Sequence, residues 1–268
     1  MSWLDALILG LVEGITEFLP ISSTGHLILT ESLLGVNGDA INTQRIVVQG
    51  AAILAVCWEY RARLWNVTRK LHSEHSARIF ALNLLIAFVP LAVLALLFEE
   101  EIESILSKPI PVALALVIGG LIILWVERRK HEERIGDVDA IRPGDALKVG
   151  LVQALALIPG TSRSAATIIG GLFIGMSRRA ATEFSFFIAI PALLAATLYK
   201  LWSARDTLSW DEGGALALSS AAAFISALLS IRFLLRFVSR HSFAVFAWYR
   251  IVFGGIVLAT WALGWVNW

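Results

Sequence analysis

Two apolar stretches, Leu4 to Leu34 and Asp145 to Gly175, are each broken at the centre by a polar string containing Pro and Gly. In the first the break reads Pro20-Ile21-Ser22-Ser23-Thr24-Gly25-His26; in the second it reads Pro159-Gly160-Thr161-Ser162-Arg163-Ser164. A helix needs roughly 20 apolar residues to cross a ~30 Å hydrocarbon core, so each stretch is too long for one crossing and too short for two. Irregular backbone at membrane depth persists only where protein or a water-filled cavity satisfies its hydrogen bonds. Both stretches are therefore expected to be re-entrant helical hairpins, 4–34 and 145–175, with polar tips inside the fold.

Six further apolar runs, at about 44–60, 79–98, 110–127, 181–201, 213–235 and 243–266, are each near spanning length. With 57% hydrophobic and only 16% charged residues, the chain departs from soluble-domain averages, so its solvent is lipid. The expected fold is an all-α integral membrane protein: six transmembrane helices plus two re-entrant hairpins. A formal net charge of +1 gives no sign of a nucleic-acid partner, and the single cysteine, Cys57, excludes an intrachain disulfide. The start, Met1-Ser2-Trp3-Leu4-Asp5, has no basic leader and reads as mature sequence.

Lysine and arginine concentrate in cytoplasmic loops. Arg61, Arg63, Arg69, Lys70 and Arg78 follow the first span, and Arg128, Arg129, Lys130, Arg134 and Arg142 follow the third. Both connections are expected inside, as are Arg178, Arg179, Arg236 and Arg240. The mixed or acidic segments Glu99 to Lys108 and Ser203 to Glu212 fit the outer side, which puts both termini outside. A hairpin plus three spans then occurs twice in a single membrane domain, over 1–127 and 144–268. An odd number of crossings makes the second unit enter from the opposite face, so these are inverted repeats. Gly10-Leu11-Val12-Glu13 is echoed by Gly150-Leu151-Val152-Gln153, and Ser22-Ser23-Thr24 by Thr161-Ser162. Interrupted segments at matching positions of inverted repeats point to a midplane binding site, so the two tips are expected to meet.

Glu13 and Glu17, four residues apart, share one helix face. Hydrocarbon penalises such acids unless they are paired, solvated or metal-bound. A carboxylate pair suits a hard divalent cation, Mg²⁺ or Ca²⁺, bridging to substrate phosphates; an interfacial helix with both acids in water is the plainer reading. Ser23 and His26 lie within one helical turn, close enough for the imidazole to activate the hydroxyl. The plainer reading makes Ser22 to Thr24 helix caps and His26 a hydrogen-bonded core residue. The Gly-containing turn before Arg163 opens a helix whose N-terminus and guanidinium together form an anion site; alternatively Arg163 pairs with Glu183 or caps a carbonyl. Arg250, in Trp248-Tyr249-Arg250, is a weaker pointer to the anion site, since an arginine beside aromatic residues can equally snorkel to the interface.

The strings from Glu13 to His26 and from Pro159 to Thr167 closely resemble the two signature motifs of the undecaprenyl-diphosphate phosphatase family, also called bacitracin-resistance protein BacA. Glu183-Phe184-Ser185-Phe186 followed by Ile190-Pro191 extends the likeness over essentially the whole chain. This chain departs from the family pattern at Ala165 and at Gly50-Ala51, which leaves the reacting groups untouched but weakens Gln49 as a site residue. The resemblance implies a bacterial plasma (inner) membrane enzyme with divalent-cation dependence. It would release phosphate from the polyprenyl diphosphate carrier of peptidoglycan synthesis and thereby confer bacitracin resistance. It also implies an active site on the periplasmic or outer side and a homodimer.

Carried onto matching positions, the resemblance makes Arg163, with Ser162, Thr167 and Ser22, the diphosphate holder and Glu13 and Glu17 the cation ligands. Ser23 would attack phosphorus with His26 relaying the proton, or a metal-activated water would attack with His26 as acid or base. A transporter or flippase of the polyprenyl phosphate carrier is the alternative function, because inverted repeats with broken helices are also a transport architecture. A non-catalytic membrane scaffold leaves the clustered tip residues without a purpose.

Overall fold

A computed structural model describes residues 2–36, 39–106, 108–129, 132–203 and 213–265. Lys130 and residues 204–212, used above to orient the chain, lie outside the described residues. Among the described residues every regular element is helical. In chain order they are α1 (Trp3–Thr16), α2 (Ser23–Leu34), α3 (Asp39–Glu59), α4 (Arg61–Lys70), α5 (His75–Leu106), α6 (Pro109–Arg128), α7 (Pro143–Gln153), α8 (Arg163–Phe173), α9 (Arg178–Ser203), α10 (Gly213–Val238) and α11 (Ala244–Ala262).

Among the described residues, five helices are long and apolar enough to cross a membrane: α5 over His75–Phe98, and α6, α9, α10 and α11. Much of the α5 window faces outward, only 17% of it being buried. Leu85, Leu96 and Leu97 there are exposed, an arrangement that lipid accepts and water would not. The run at 44–60 falls in α3, which is not among those five. Helix α3 carries Gln44, Arg45 and Glu59 among its apolar residues, with Gln44 buried and Arg45 bound to Glu31 of α2. The connection after α3 is not a plain loop but the basic helix α4, which buries none of its residues.

Both broken stretches are helix–turn–helix hairpins. Ser2 caps α1, its hydroxyl accepting from the Asp5 N–H at 3.1 Å while the Asp5 carboxylate accepts from the Ser2 N–H at 3.0 Å. Between α1 and α2 the chain turns at Phe18 to Ile21. Between α7 and α8 a short 3-10 segment, Ala154–Leu157, precedes the turn. Each returning helix begins just after a serine with positive φ, Ser22 at 73° and Ser162 at 70°. Non-glycine residues rarely occupy that region, and strain of about 1–3 kcal/mol persists only where surrounding contacts hold it.

Each hairpin packs against the other half of the chain. Helix α1 lies along α10 and α7 along α5, while α3 meets α9 and α6 meets α11. A methyl group added at Gly10 would fall on the Ser219 carbonyl oxygen of α10, and one at Gly150 would lie 2.6 Å from the Ala87 carbonyl oxygen of α5. Close backbone approach of this kind supplies the dispersion contacts that hold helices together in lipid, where burial of apolar surface gives little net drive. The interior is aromatic near the first tip: Phe18, fully buried, meets Phe186 of α9 edge-to-face with ring centroids 5.7 Å apart.

Candidate active site

The two tips touch. The Ser164 hydroxyl at the start of α8 donates to the Leu19 carbonyl of the first tip at 2.8 Å. Arg250 of α11 ties both together: its Nη1 lies 3.3 Å from the Pro20 carbonyl and 2.9 Å from that of Thr161, and its Nη2 lies 3.1 Å from that of Gly160. Its remaining donors reach the Leu116 carbonyl at 3.3 Å and the Ala115 carbonyl at 3.0 Å, both in α6. The side chain is 0% exposed, so Arg250 does not snorkel as its aromatic neighbours suggested. Buried carbonyl dipoles, left over where two turns leave helical geometry, draw the guanidinium inward.

Glu17 stands at the junction. As the C-cap of α1 it is buried, and its Oε2 accepts from the Ser23 hydroxyl at 2.6 Å. Its Oε1 lies 3.5 Å from Nη2 of Arg163 on the opposite tip. Arg163 also donates from Nη1 to the Ser185 carbonyl of α9 at 3.1 Å, and its Nε is buried without a partner. It does not pair with Glu183, which binds Arg179 at 3.0 Å instead. Glu13, one turn before Glu17, is 2% exposed and hydrogen-bonds no described residue through its carboxylate.

His26 does not reach Ser23. Its Nδ1 lies 2.7 Å from the Ser22 carbonyl and its Nε2 lies 2.6 Å from the Tyr249 hydroxyl of α11. A carbonyl only accepts, so Nδ1 carries the proton and Nε2 presents a lone pair that accepts from the tyrosine O–H. The reason for the departure from expectation is local: positive φ at Ser22 swings its carbonyl toward the ring one turn on, while Ser23 turns back toward α1. Ser22 itself is buried and its side chain caps no backbone donor.

On the second tip Ser162 caps α8, its hydroxyl accepting from the Ala165 N–H at 3.3 Å and lying 3.1 Å from the Ser164 hydroxyl. Thr167 is buried, 2.6 Å from the Ser185 hydroxyl and 3.0 Å from the Arg163 carbonyl. That anchors the first turn of α8 to α9, beneath the face that an anion would occupy.

Three participants escaped sequence reasoning. Tyr249 is separated from His26 by more than two hundred residues, and nothing in Trp248-Tyr249-Arg250 distinguishes it from an interfacial anchor. Glu31 and Arg45 form a fork-to-carboxylate pair whose charges act on Glu13. Their signal was the presence of two ionisable residues within apolar surroundings, which is seldom accidental.

The donor set can be tested against a divalent cation. Among the described residues no cluster of three or more His, Cys, Asp or Glu side chains is gathered for a metal. Two carboxylates on one helical face, one of them lacking a hydrogen-bond partner, nonetheless suit Mg²⁺, which commonly takes one or two protein carboxylates and completes its shell with phosphate and water. The formal charges of Glu13, Glu17, Arg163 and Arg250 cancel, so an entering diphosphate leaves negative charge that such a cation offsets.

Residues 6–256 match the family described as bacitracin resistance protein BacA. The chain is 57% identical over 265 residues to the undecaprenyl-diphosphatase of Dechloromonas aromatica (strain RCB), an alignment covering 99% of this chain and 97% of that one. It is 58% identical over 271 residues to the undecaprenyl-diphosphatase of Nitrosospira multiformis, covering 100% and 99%. The enzyme of the same name from Ectopseudomonas mendocina is 54% identical over 264 residues, covering 98% and 96%.

Proposed function

The chain belongs to the bacitracin resistance protein BacA family, and from that premise we propose the reaction and the roles of its residues. It is an undecaprenyl-diphosphate phosphatase, a hydrolase of the membrane that converts undecaprenyl diphosphate to undecaprenyl phosphate and inorganic phosphate. That reaction recycles the lipid carrier of peptidoglycan synthesis and accounts for the bacitracin resistance in the family's name. The relatives are named for hydrolysis, and no observation favours the transporter or flippase alternative.

The single observation that carries the site assignment is Glu17, shared between the Ser23 hydroxyl of one tip and Arg163 of the other. A diphosphate lies against the N-terminus of α8, held by Arg163 and the first-turn donors that follow Ser162, with Ser22 lining the facing turn. Thr167 keeps that turn rooted on α9. Glu13 and Glu17 would hold the divalent cation, which would offset charge developing on the phosphoryl oxygens.

Ser23 attacks the terminal phosphorus. Its proton passes to Glu17 Oε2, the Oγ–P bond forms, and the bridging P–O bond breaks to release undecaprenyl phosphate. Water then cleaves the phosphoserine: His26 takes the proton from the water, Glu17 returns one to Ser23 Oγ, and inorganic phosphate leaves. The 2.6 Å bond from Ser23 to Glu17 supports the carboxylate, rather than the imidazole, as the base for the serine.

The wider architecture is an inverted repeat of 1–127 and 144–268, with α3 as a sixth span and both hairpins re-entrant. The reciprocal packing of α1 on α10 and α7 on α5, and the paired positive-φ serines, support it. Aligning Ser22 with Ser162 sets Glu13 against Gln153 and Ser23 against Arg163, so the first half supplies acid and nucleophile and the second supplies the anion-binding cation. The basic residues after α3 and α6 face the cytoplasm, which puts both termini and the site on the periplasmic side of the bacterial inner membrane. The functional unit is a homodimer, which light scattering of detergent-purified protein tests.

Phosphate release from purified protein tests the function. Turnover of undecaprenyl diphosphate that vanishes with chelator and returns with Mg²⁺ or Ca²⁺ is expected; folded protein inactive under all cation conditions contradicts the reading.

A further inference from the structure

His26 has both ring nitrogens engaged. Nδ1–H donates to the Ser22 carbonyl at 2.7 Å, and Nε2 accepts from the Tyr249 hydroxyl at 2.6 Å. The ring cannot turn freely, because Phe253 lies on it with centroids 4.0 Å apart and planes 8° from parallel. Tyr249 and Phe253 are four residues apart on α11, so one helical face supplies both the hydroxyl and the stacked ring. Swinging Nε2 toward Ser23 would break the bond to the Ser22 carbonyl, which is one of the contacts holding a serine at positive φ. A histidine held this way has one outlet for a proton, the tyrosine oxygen. Tyr249 is 45% exposed, and a phenol oxygen that donates its O–H to the ring keeps lone pairs able to accept a second hydrogen bond.

We propose that Tyr249 is the proton relay and positioning residue of His26, connecting the imidazole to the water that hydrolyses the phosphoenzyme. This rests on the role given to His26 above. As the water oxygen bonds to phosphorus, its proton moves to the Tyr249 oxygen and the Tyr249 proton moves to His26 Nε2. The Ser23 Oγ–P bond breaks and Oγ recovers its proton from Glu17. The resulting imidazolium keeps its Nδ1–H on the Ser22 carbonyl, and its extra proton returns through Tyr249 to solvent. Tyrosine ends the cycle as neutral phenol.

Tyr249→Phe removes the hydroxyl and keeps the ring that stacks on the cluster, so it separates the relay from packing. Turnover of undecaprenyl diphosphate by Tyr249→Phe, His26→Gln and the double variant is measured with melting in detergent and ring ¹⁵N spectra of histidine-labelled protein. For Tyr249→Phe the expected result is a kcat lower by about 10–100-fold with KM within about twofold, since general acid–base assistance is worth that much or more. Melting stays unchanged, the His26 Nε2 signal moves to that of a non-bonded nitrogen, and the double variant is no slower than His26→Gln. Normal kcat in Tyr249→Phe beside an inactive His26→Gln overturns the relay alone, as does a spectrum placing the proton on Nε2. Normal turnover in His26→Gln overturns the assigned role of His26 and the relay with it.

Discussion

The Ser23 hydroxyl lies 2.6 Å from Oε2 of Glu17, while His26, three residues further on, faces away toward Tyr249. The residue expected to activate the serine is therefore engaged elsewhere, and the carboxylate at the end of α1 stands in its place. In the proposed two-step displacement this exchange gives Ser23 and His26 separate duties. Terminally labelled substrate should leave an acid-stable label on Ser23 after rapid quenching. Ser23→Ala should lose that label and at least about 10³-fold in kcat, as expected when a covalent nucleophile is removed. Near-normal phosphate release by Ser23→Ala would assign the attack to water.

Cation dependence should divide between the two acids. Glu13 is proposed to hold the cation and makes no bond to Ser23, so Glu13→Gln should raise the Mg²⁺ concentration for half-maximal rate by roughly 10-fold or more while saturating Mg²⁺ restores much of kcat. Glu17→Gln loses the base as well, and no Mg²⁺ concentration should rescue it. A titration with chelator-buffered Mg²⁺ distinguishes them.

Arg250 should behave as a structural staple. Arg250→Met leaves five carbonyl contacts unmet in the interior, a loss of about 3–5 kcal/mol by analogy with broken buried charged networks. Thermal unfolding in detergent should fall by several degrees, and Arg250→Lys, which keeps charge without the planar fork, should recover only part of it.

Glycine substitutions should separate close packing from open space. Gly10→Leu drives a side chain into the α10 backbone at Ser219 and should destabilise the fold by several kcal/mol. Gly144→Ala meets nothing within 4 Å, in the first turn of α7, and should be neutral or stabilising by up to about 1 kcal/mol. Melting curves in detergent check both.

Five of the six expected spans and the two helix–turn–helix breaks were legible because apolar length and its interruption by Pro, Gly and hydroxyl residues are properties of the chain itself. Glu13, Glu17, Ser23 and Arg163 could be chosen for the same reason, since each sits where lipid would penalise it. The rest depends on contacts between distant segments. Ser22 and Ser162 adopt positive φ without being Gly or Asn, so no turn residue announced them. The histidine's partners could not be read off local spacing, because the Ser22 turn redirects the ring toward α11. Arg250 sits beside Trp248 and Tyr249, the pattern of an interfacial anchor, yet the two turns gather enough carbonyls to pull it inside.

A double-mutant cycle between Glu17 and Arg163, one from each half of the chain, tests the joined site most directly. The two side chains lie 3.5 Å apart, and both are proposed to serve one diphosphate. Purified Glu17→Gln and Arg163→Met should each lose more than about 100-fold in kcat/KM while remaining folded. The double variant should be no more than about threefold worse than the poorer single one, because groups acting on one transition state are strongly non-additive. Losses that multiply independently, or near-normal turnover in either single variant, would contradict a shared site.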